Sequence, residues 1–194
     1  MTPEIKKWDI RSRRVTAQYR LFSIEEKQVR SPRTGADMAV QAIHFPDWVV
    51  VLPVTSDQTV IMVRQYRHGN EKICLELPGG LVDPEDESAE ISARRELIEE
   101  TGWRPQRMVP IGIVYPQPAV LSNRCHFFLA RDVAPVGKMA LDAGEDILWT
   151  EVPLADIRVK IRKGEIDNAM TVLAFSYYWM QNPAAGMPGK DISR

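Results

Sequence analysis

The chain has 194 residues, 44% hydrophobic and 26% charged, a balance that suits one globular domain with room for a small appended element. A net charge of −1 gives no long-range pull toward nucleic acid or an anionic membrane, and no run reaches the ~18 apolar residues of a membrane span. Cys74 and Cys125 form neither a CxxC pair nor a disulfide framework, and the opening MTPEIKKWDIRSRR lacks a signal-peptide core; a cytoplasmic protein with no nucleic-acid or membrane partner is expected.

In chain order, residues 1 to about 30 alternate polar and apolar positions (Val15, Ala17, Tyr19, Leu21), as a half-exposed strand does. After the turn signal Ser31-Pro32-Arg33-Thr34-Gly35, a second strand at Asp37 to Phe45 is expected to pair back with the first. The apolar run Trp48 to Val54 and the segment Thr59 to Gln65 read as a central hairpin. Ile73 to Leu77 is a short strand that ends in the turn Pro78-Gly79-Gly80. An acidic stretch from Asp83 leads into a helix that runs to Thr101 and is closed by Gly102. Strands at Met108 to Val114 and Cys125 to Ala130 flank a proline-rich loop. A loop and strand (Leu141 to Val152), a helix (Leu154 to Lys163), a break at Gly164 and a final helix (Asn168 to Met180) complete the order, with 181–194 reading as a mobile tail. Many strands, one helix, more strands and then two helices make the class α+β: a mixed β-sheet sandwiched by helices, with an N-terminal antiparallel strand region.

Arg95-Glu96-Leu97-Ile98-Glu99-Glu100-Thr101-Gly102 carries the functional argument. Helical spacing puts Glu96, Glu99 and Glu100 on one face, and Ile91 and Ile98 are expected to point the other way, into the core. Like charges so spaced cost a helix a few tenths of a kcal/mol per pair, about as much as opposite charges gain. The three also crowd the helix's carboxyl end, where the macrodipole favours cations. A hard divalent cation reverses both penalties, and magnesium is held by a few carboxylates together with substrate phosphates. A solvated charged face is the plain alternative for any acidic run. The Pro78-Gly79-Gly80 turn just ahead of the helix lets backbone come close to an ion or phosphate.

This segment resembles the box of the Nudix hydrolases: glycine, five residues, glutamate, seven residues, then Arg-Glu-aliphatic-x-Glu-Glu-x-Gly-aliphatic. Arg95, Glu96, Leu97, Glu99, Glu100 and Gly102 match, Trp103 takes the last apolar slot, and seven residues separate Glu87 from Arg95. The front half departs, because six residues separate Gly80 from Glu87; either the loop is one residue longer, or Asp86 takes part of the role of Glu87, which is to brace the box arginine. Gln65-Tyr66-Arg67, Leu75-Glu76-Leu77-Pro78-Gly79-Gly80, Gly144-Glu145-Asp146-Ile147 and Lys163-Gly164-Glu165-Ile166-Asp167-Asn168-Ala169 are similar to segments of the ADP-sugar pyrophosphatase branch.

The resemblance implies Mg2+-dependent hydrolysis (Mn2+ as an alternative) of a nucleoside diphosphate sugar such as ADP-ribose, giving a nucleoside monophosphate and a sugar phosphate. It implies metal ligands at Glu96, Glu100, the Gly79 carbonyl and Glu145, and substrate binding by Arg67 and Glu76. Catalytic roles would fall to Glu100 and to Glu145, with Glu99 as rival base. It further implies a homodimer formed through residues 1–45, with the Nudix domain over 46–180. GDP-mannose or another nucleotide sugar is the alternative substrate, and a non-catalytic nucleotide sensor the alternative from another class.

Overall fold

The computed structural model describes residues 4–183, so most of the expected tail, from 184 onward, lies outside the described residues. The chain forms two compact units: one comprises the chain up to Asp47 with Tyr115–Arg124, the other Trp48–Val114 with the chain from Cys125 onward.

The first unit is built on an antiparallel sheet of β1 (Asp9–Gln18), β2 (Ser23–Arg30) and β3 (Asp37–His44), in that order. The one strand expected before residue 30 is therefore a hairpin, and Asp37 to His44 pairs with its second arm. No glycine, proline or asparagine marks the turn. It closes through Tyr19 N–H donating to the Phe22 carbonyl at 2.8 Å, with the Tyr19 and Phe22 rings 4.8 Å apart and Phe22 stacked on Phe45. The Pro-rich loop at 115–124 joins this unit: the Ile43 amide donates to Val120 O, the Ser122 amide to Ile43 O, and Arg124 pairs with Asp47.

The second unit contains β4 (Trp48–Val54), β5 (Thr59–Arg67), β6 (Lys72–Glu76), α1 (Ala89–Thr101), β7 (Trp103–Arg104), β8 (Arg107–Val114), β9 (Cys125–Arg131), β10 (Ala134–Pro135) and β11 (Ile147–Pro153). A 3-10 turn (Leu154–Asp156), α2 (Ile157–Arg162) and α3 (Ala169–Gln181) follow. Its main sheet runs β11-β5-β4-β9-β8 with β6 added on β5; β4 and β9 pair in parallel. The expected β4–β5 hairpin pairs at Val54 and Val60, and beyond that point its arms part. Residues 72–80 fill the gap: Lys72–Glu76 ladder onto β5, while the Pro78 and Gly80 carbonyls accept from the Val51 and Val49 amides of β4. The short pair β7 and β10 carries no pattern long enough to read from sequence.

Alternation along β4 and β5 divides the core. Leu52, Val60, Met62, Phe127, Ala174 and Phe175 lie on the α3 side, and Val49, Val51, Ile61, Ala93, Leu97 and Phe128 on the α1 side. A helix on each face of a mixed sheet is the sandwich expected from the element order. Among the described residues no helix is long and apolar enough to cross a membrane.

Candidate active site

The α1 helix begins at Ser88, whose hydroxyl accepts from the Ile91 amide, and is reinforced by the Glu90–Arg94 pair one turn apart. It ends at Gly102 in the left-handed conformation, φ 72°, with its N–H on Ile98 O; a Cβ there would also lie 2.5 Å from the Gly137 carbonyl. The expected core face is corrected. Ile91 is exposed and Ile98 half-buried, while Ala93 and Leu97 are fully buried. Ala93 and Leu97 are i,i+4, and Glu96 and Glu100 flank Leu97, so these two acids enter the protein on the apolar side of the helix.

Glu96 and Glu100 are consequently 9% and 3% exposed. Both abut the glycine strip: Glu100 Oε2 accepts from the Gly79 amide at 3.0 Å, and a Cβ at Gly80 would stand 2.5 Å from the Glu96 carboxyl. Any side chain at position 80 would occupy the place of that carboxylate. Burial, chiefly, lifts Glu96 to about 7; Arg95 opposes the rise, and Glu99 and Glu145 add to it. Burial likewise lifts Glu100 to about 8, opposed by the Gly79 amide and Arg67, with Glu96 and Glu145 adding. The carboxylates thus sit in one another's field without enough positive charge to offset it.

Arg95 fans its guanidinium between helix and loop. One terminal nitrogen donates to Glu96 and Glu99 at 3.0 Å each, and the other meets Asp86 at 3.0 Å and Asp83 at 3.2 Å. Nε also reaches Asp86; burial works against the charge, but Asp86, Glu96 and Glu99 hold the arginine well above its ordinary range. The Ser92 hydroxyl and Arg95 hold Asp86 below the usual carboxylate range. The brace is therefore Asp86, separated from Gly80 by five residues, while Glu87 is exposed. No sequence pattern joins Asp83 to Asp86; the displaced spacing between Gly80 and Glu87 is the signal that points to them.

The far wall comes from the end of β5. Antiparallel pairing sets Val63 opposite Glu76 and Gln65 opposite Cys74, so Arg67, two residues on, shares a face with Glu76. Arg67 Nε and Nη2 both donate to Glu76 Oε2, at 3.0 and 2.6 Å. Glu76, expected among the substrate-binding groups, is turned inward and 2% exposed; its other oxygen accepts from Asn168 at the start of α3. No local pattern gives Asn168 a site role, because its partner lies 92 positions earlier. Glu145 arrives from the opposite edge. Ile147 pairs with Gln65, which brings the preceding loop to the Arg67 end of the sheet, and the carboxylate of Glu145 raises both Glu96 and Glu100. Its own oxygen accepts from the Asp142 amide at 3.0 Å.

Among the described residues no three acidic, imidazole or thiol groups converge into a ready cage for a metal. The donor chemistry still fits a magnesium-type ion. Such an ion takes one or two carboxylates and completes its octahedron with water and phosphate oxygens. Here two buried, mutually repelling carboxylates face a side-chain-free strip of backbone.

A family model, the NUDIX domain, matches residues 44–173. The chain belongs to this family and is a Nudix hydrolase. It is 33% identical over 138 residues to the ADP-ribose pyrophosphatase of Bacillus subtilis, a match covering 71% of this chain and 74% of that protein. It is 32% identical over 141 residues to the GDP-mannose pyrophosphatase of Salmonella arizonae, covering 69% and 73%. A crystal structure of an ADP compounds hydrolase matches with a TM-score of 0.83 over 95% of this chain and 99% of that one; at 23% identity this likeness speaks for the fold alone.

Proposed function

We propose that this protein hydrolyses the pyrophosphate bond of a nucleoside diphosphate sugar such as ADP-ribose, releasing a nucleoside monophosphate and a sugar phosphate. The observation that carries the reading is the pair Glu96 and Glu100, buried against Gly79 and Gly80 with their proton affinity raised. Two such carboxylates are costly to a fold with no cation to receive. The pyrophosphatase names of two relatives support the substrate class.

Glu96 and Glu100, with the Gly79 carbonyl, are the residues to hold Mg2+ or Mn2+. The Pro78 and Gly80 carbonyls both accept from β4, so the intervening Gly79 carbonyl is directed away from that strand. When bound, the metal supplies charge neutralisation across the two phosphates and makes water a better nucleophile. Arg67 clamps a phosphate with the N–H groups not given to Glu76. Glu145 is the proposed metal ligand or base. Glu99 is its rival, and its tie to Arg95 makes it the less available of the two.

We place the enzyme in the cytoplasm, with no nucleic-acid or membrane partner. Residues 1–45 are proposed as the region that pairs two subunits and 46–180 as the catalytic domain. Trp8, Ile10, Val15, Tyr19 and Met38 leave large apolar side chains exposed in or beside the N-terminal sheet, which supports pairing there.

The test is a panel of ADP-ribose, GDP-mannose and other nucleotide sugars with Mg2+, Mn2+ or EDTA, with products resolved by chromatography. Two monophosphates formed only with metal are the expected result. Tight calorimetric binding without turnover would replace the enzyme by the nucleotide sensor, and preference for GDP-mannose would move the substrate within the class.

A further inference from the structure

Glu76 is a carboxylate almost wholly out of water, and its two oxygens are used for different ends. Oε2 takes two N–H groups of Arg67, while Oε1 takes the Asn168 Nδ2 at 3.0 Å. Asn168 is the N-cap of α3, and its Oδ1 accepts from the Thr171 amide at 2.9 Å. The Thr171 hydroxyl accepts from the Leu77 amide at 3.1 Å, one residue beyond Glu76. The first turn of α3 is thereby fastened to the end of β6 by two hydrogen bonds, and one of them runs on through Glu76 to Arg67.

We infer that Asn168 and Glu76 are positioning residues that fix the plane of the Arg67 guanidinium toward the substrate's pyrophosphate, with Glu76 itself never touching substrate. The inference rests on the proposed role of Arg67 as phosphate clamp. Arg67 is half-exposed at a strand end, where a long side chain samples many rotamers unless something holds it. A guanidinium has five N–H bonds in one plane; Glu76 occupies two and leaves three for an anion. Asn168 supplies what the arginine alone cannot. By tying Oε1, it prevents the carboxylate from rotating and carrying the arginine with it.

A cap without a relay predicts different behaviour, and Asn168→Ser separates the two. Serine caps a helix but is one bond too short to reach Glu76. With wild-type turnover of a nucleotide sugar in hand, N168S should raise KM about tenfold and change kcat less than about threefold, at an unchanged circular-dichroism melt. In an Arg67→Ala background, N168S should add almost nothing, because its effect passes through the missing arginine. Asn168→Asp keeps the cap at full length but sets a carboxylate against Glu76, and should raise KM further than N168S.

Equal effects of N168S with and without Arg67, or no effect in either, overturn the relay. Should the wild type hydrolyse no nucleotide sugar, the functional reading fails on that result, and the relay is read instead from the Arg67 Nε–H resonance, assigned with R67K. That resonance should be slow to exchange in the wild type and lost in N168S. Its persistence in N168S, or in N168D if the serine variant does not fold, overturns the relay.

Discussion

On the N-terminal sheet, strand register sets acids opposite bases: Glu26 faces Arg14, Asp37 faces Arg30, and Glu25 lies within 3.3 Å of Arg13, Lys27 and His44. On α1, helical register does the reverse, gathering Glu96, Glu99 and Glu100; Arg95 bonds the first two and leaves Glu100 to a backbone amide. Proton affinities follow. Asp37 is held below its ordinary value by Arg30; at Glu25 desolvation is the largest single influence and raises the value, but His44, Lys27 and Arg13 together outweigh it. Glu96 and Glu100 are pushed up by burial, and further by Glu99 and Glu145 at the first and by Glu96 and Glu145 at the second. One region is electrically complete within the chain. The other keeps two buried carboxylates with less positive charge around them than they need, and that is what supports the proposal of a cation there.

The comparison is tested most severely by Glu100→Gln. The amide keeps an oxygen for the Gly79 N–H and removes the buried charge, so turnover should fall on the order of 100- to 1,000-fold. The metal-free protein should become more resistant to heat at pH 8, because a buried carboxylate without a counter-ion is gone. Wild-type hydrolysis by this variant would sink the metal assignment.

Stability of the metal-free protein should itself depend on pH. Glu96 and Glu100 have folded-state values of about 7 and about 8 against an ordinary 4.5, so the folded state binds more protons than the unfolded state between those limits. In EDTA the pair stabilises the fold fully below about pH 4.5, and that contribution is lost as pH rises through 7 to 8. Melting temperature should therefore decline from pH 5.5 to pH 8.5, and Mg2+ should flatten or reverse the decline. A melt independent of pH in EDTA would mean that the carboxylates are solvated after all.

The brace gives a smaller effect. Asp86→Asn weakens the contact that holds Arg95 to the loop and should lower kcat/KM by about tenfold, whereas Glu87→Gln should stay within about twofold. The opposite ranking would return the brace to the position that the box spacing names.

Much of this site was legible because it depends on neighbours in sequence. The carboxylate ridge, its closing glycine and the Gly79-Gly80 strip follow from spacings of one to four residues. What was not legible depends on partners far along the chain. The resemblance gives Glu76 to substrate binding, but nothing local shows that Arg67 and Asn168 take its two oxygens. Ile91 and Ile98 look like a core stripe because they are apolar, yet the sheet packs on Ala93 and Leu97, whose face also carries the acids. The turn at 19–22 is held by three aromatic rings instead of turn residues, and the segment inserted at 72–80 opens a hairpin that its own sequence predicts to be closed.

The smallest effect is expected where the charges are best matched. Arg30 and Asp37 make two hydrogen bonds of 2.7 Å, the geometry of a strong pair, but both side chains are largely in water. Water solvates each ion nearly as well as the partner does, and salt screens what remains. Arg30→Ala should then shift the melting temperature by at most about 2 °C at low salt, with the difference vanishing near 0.5 M NaCl and kcat unchanged. A short, bidentate bond on this sheet would thus matter less than the charge of Glu100, because that buried group has little water to fall back on. If R30A instead lowered turnover with the substrate saturating, the N-terminal sheet would have to be counted as part of the catalytic machinery, and the division between the two regions would fail.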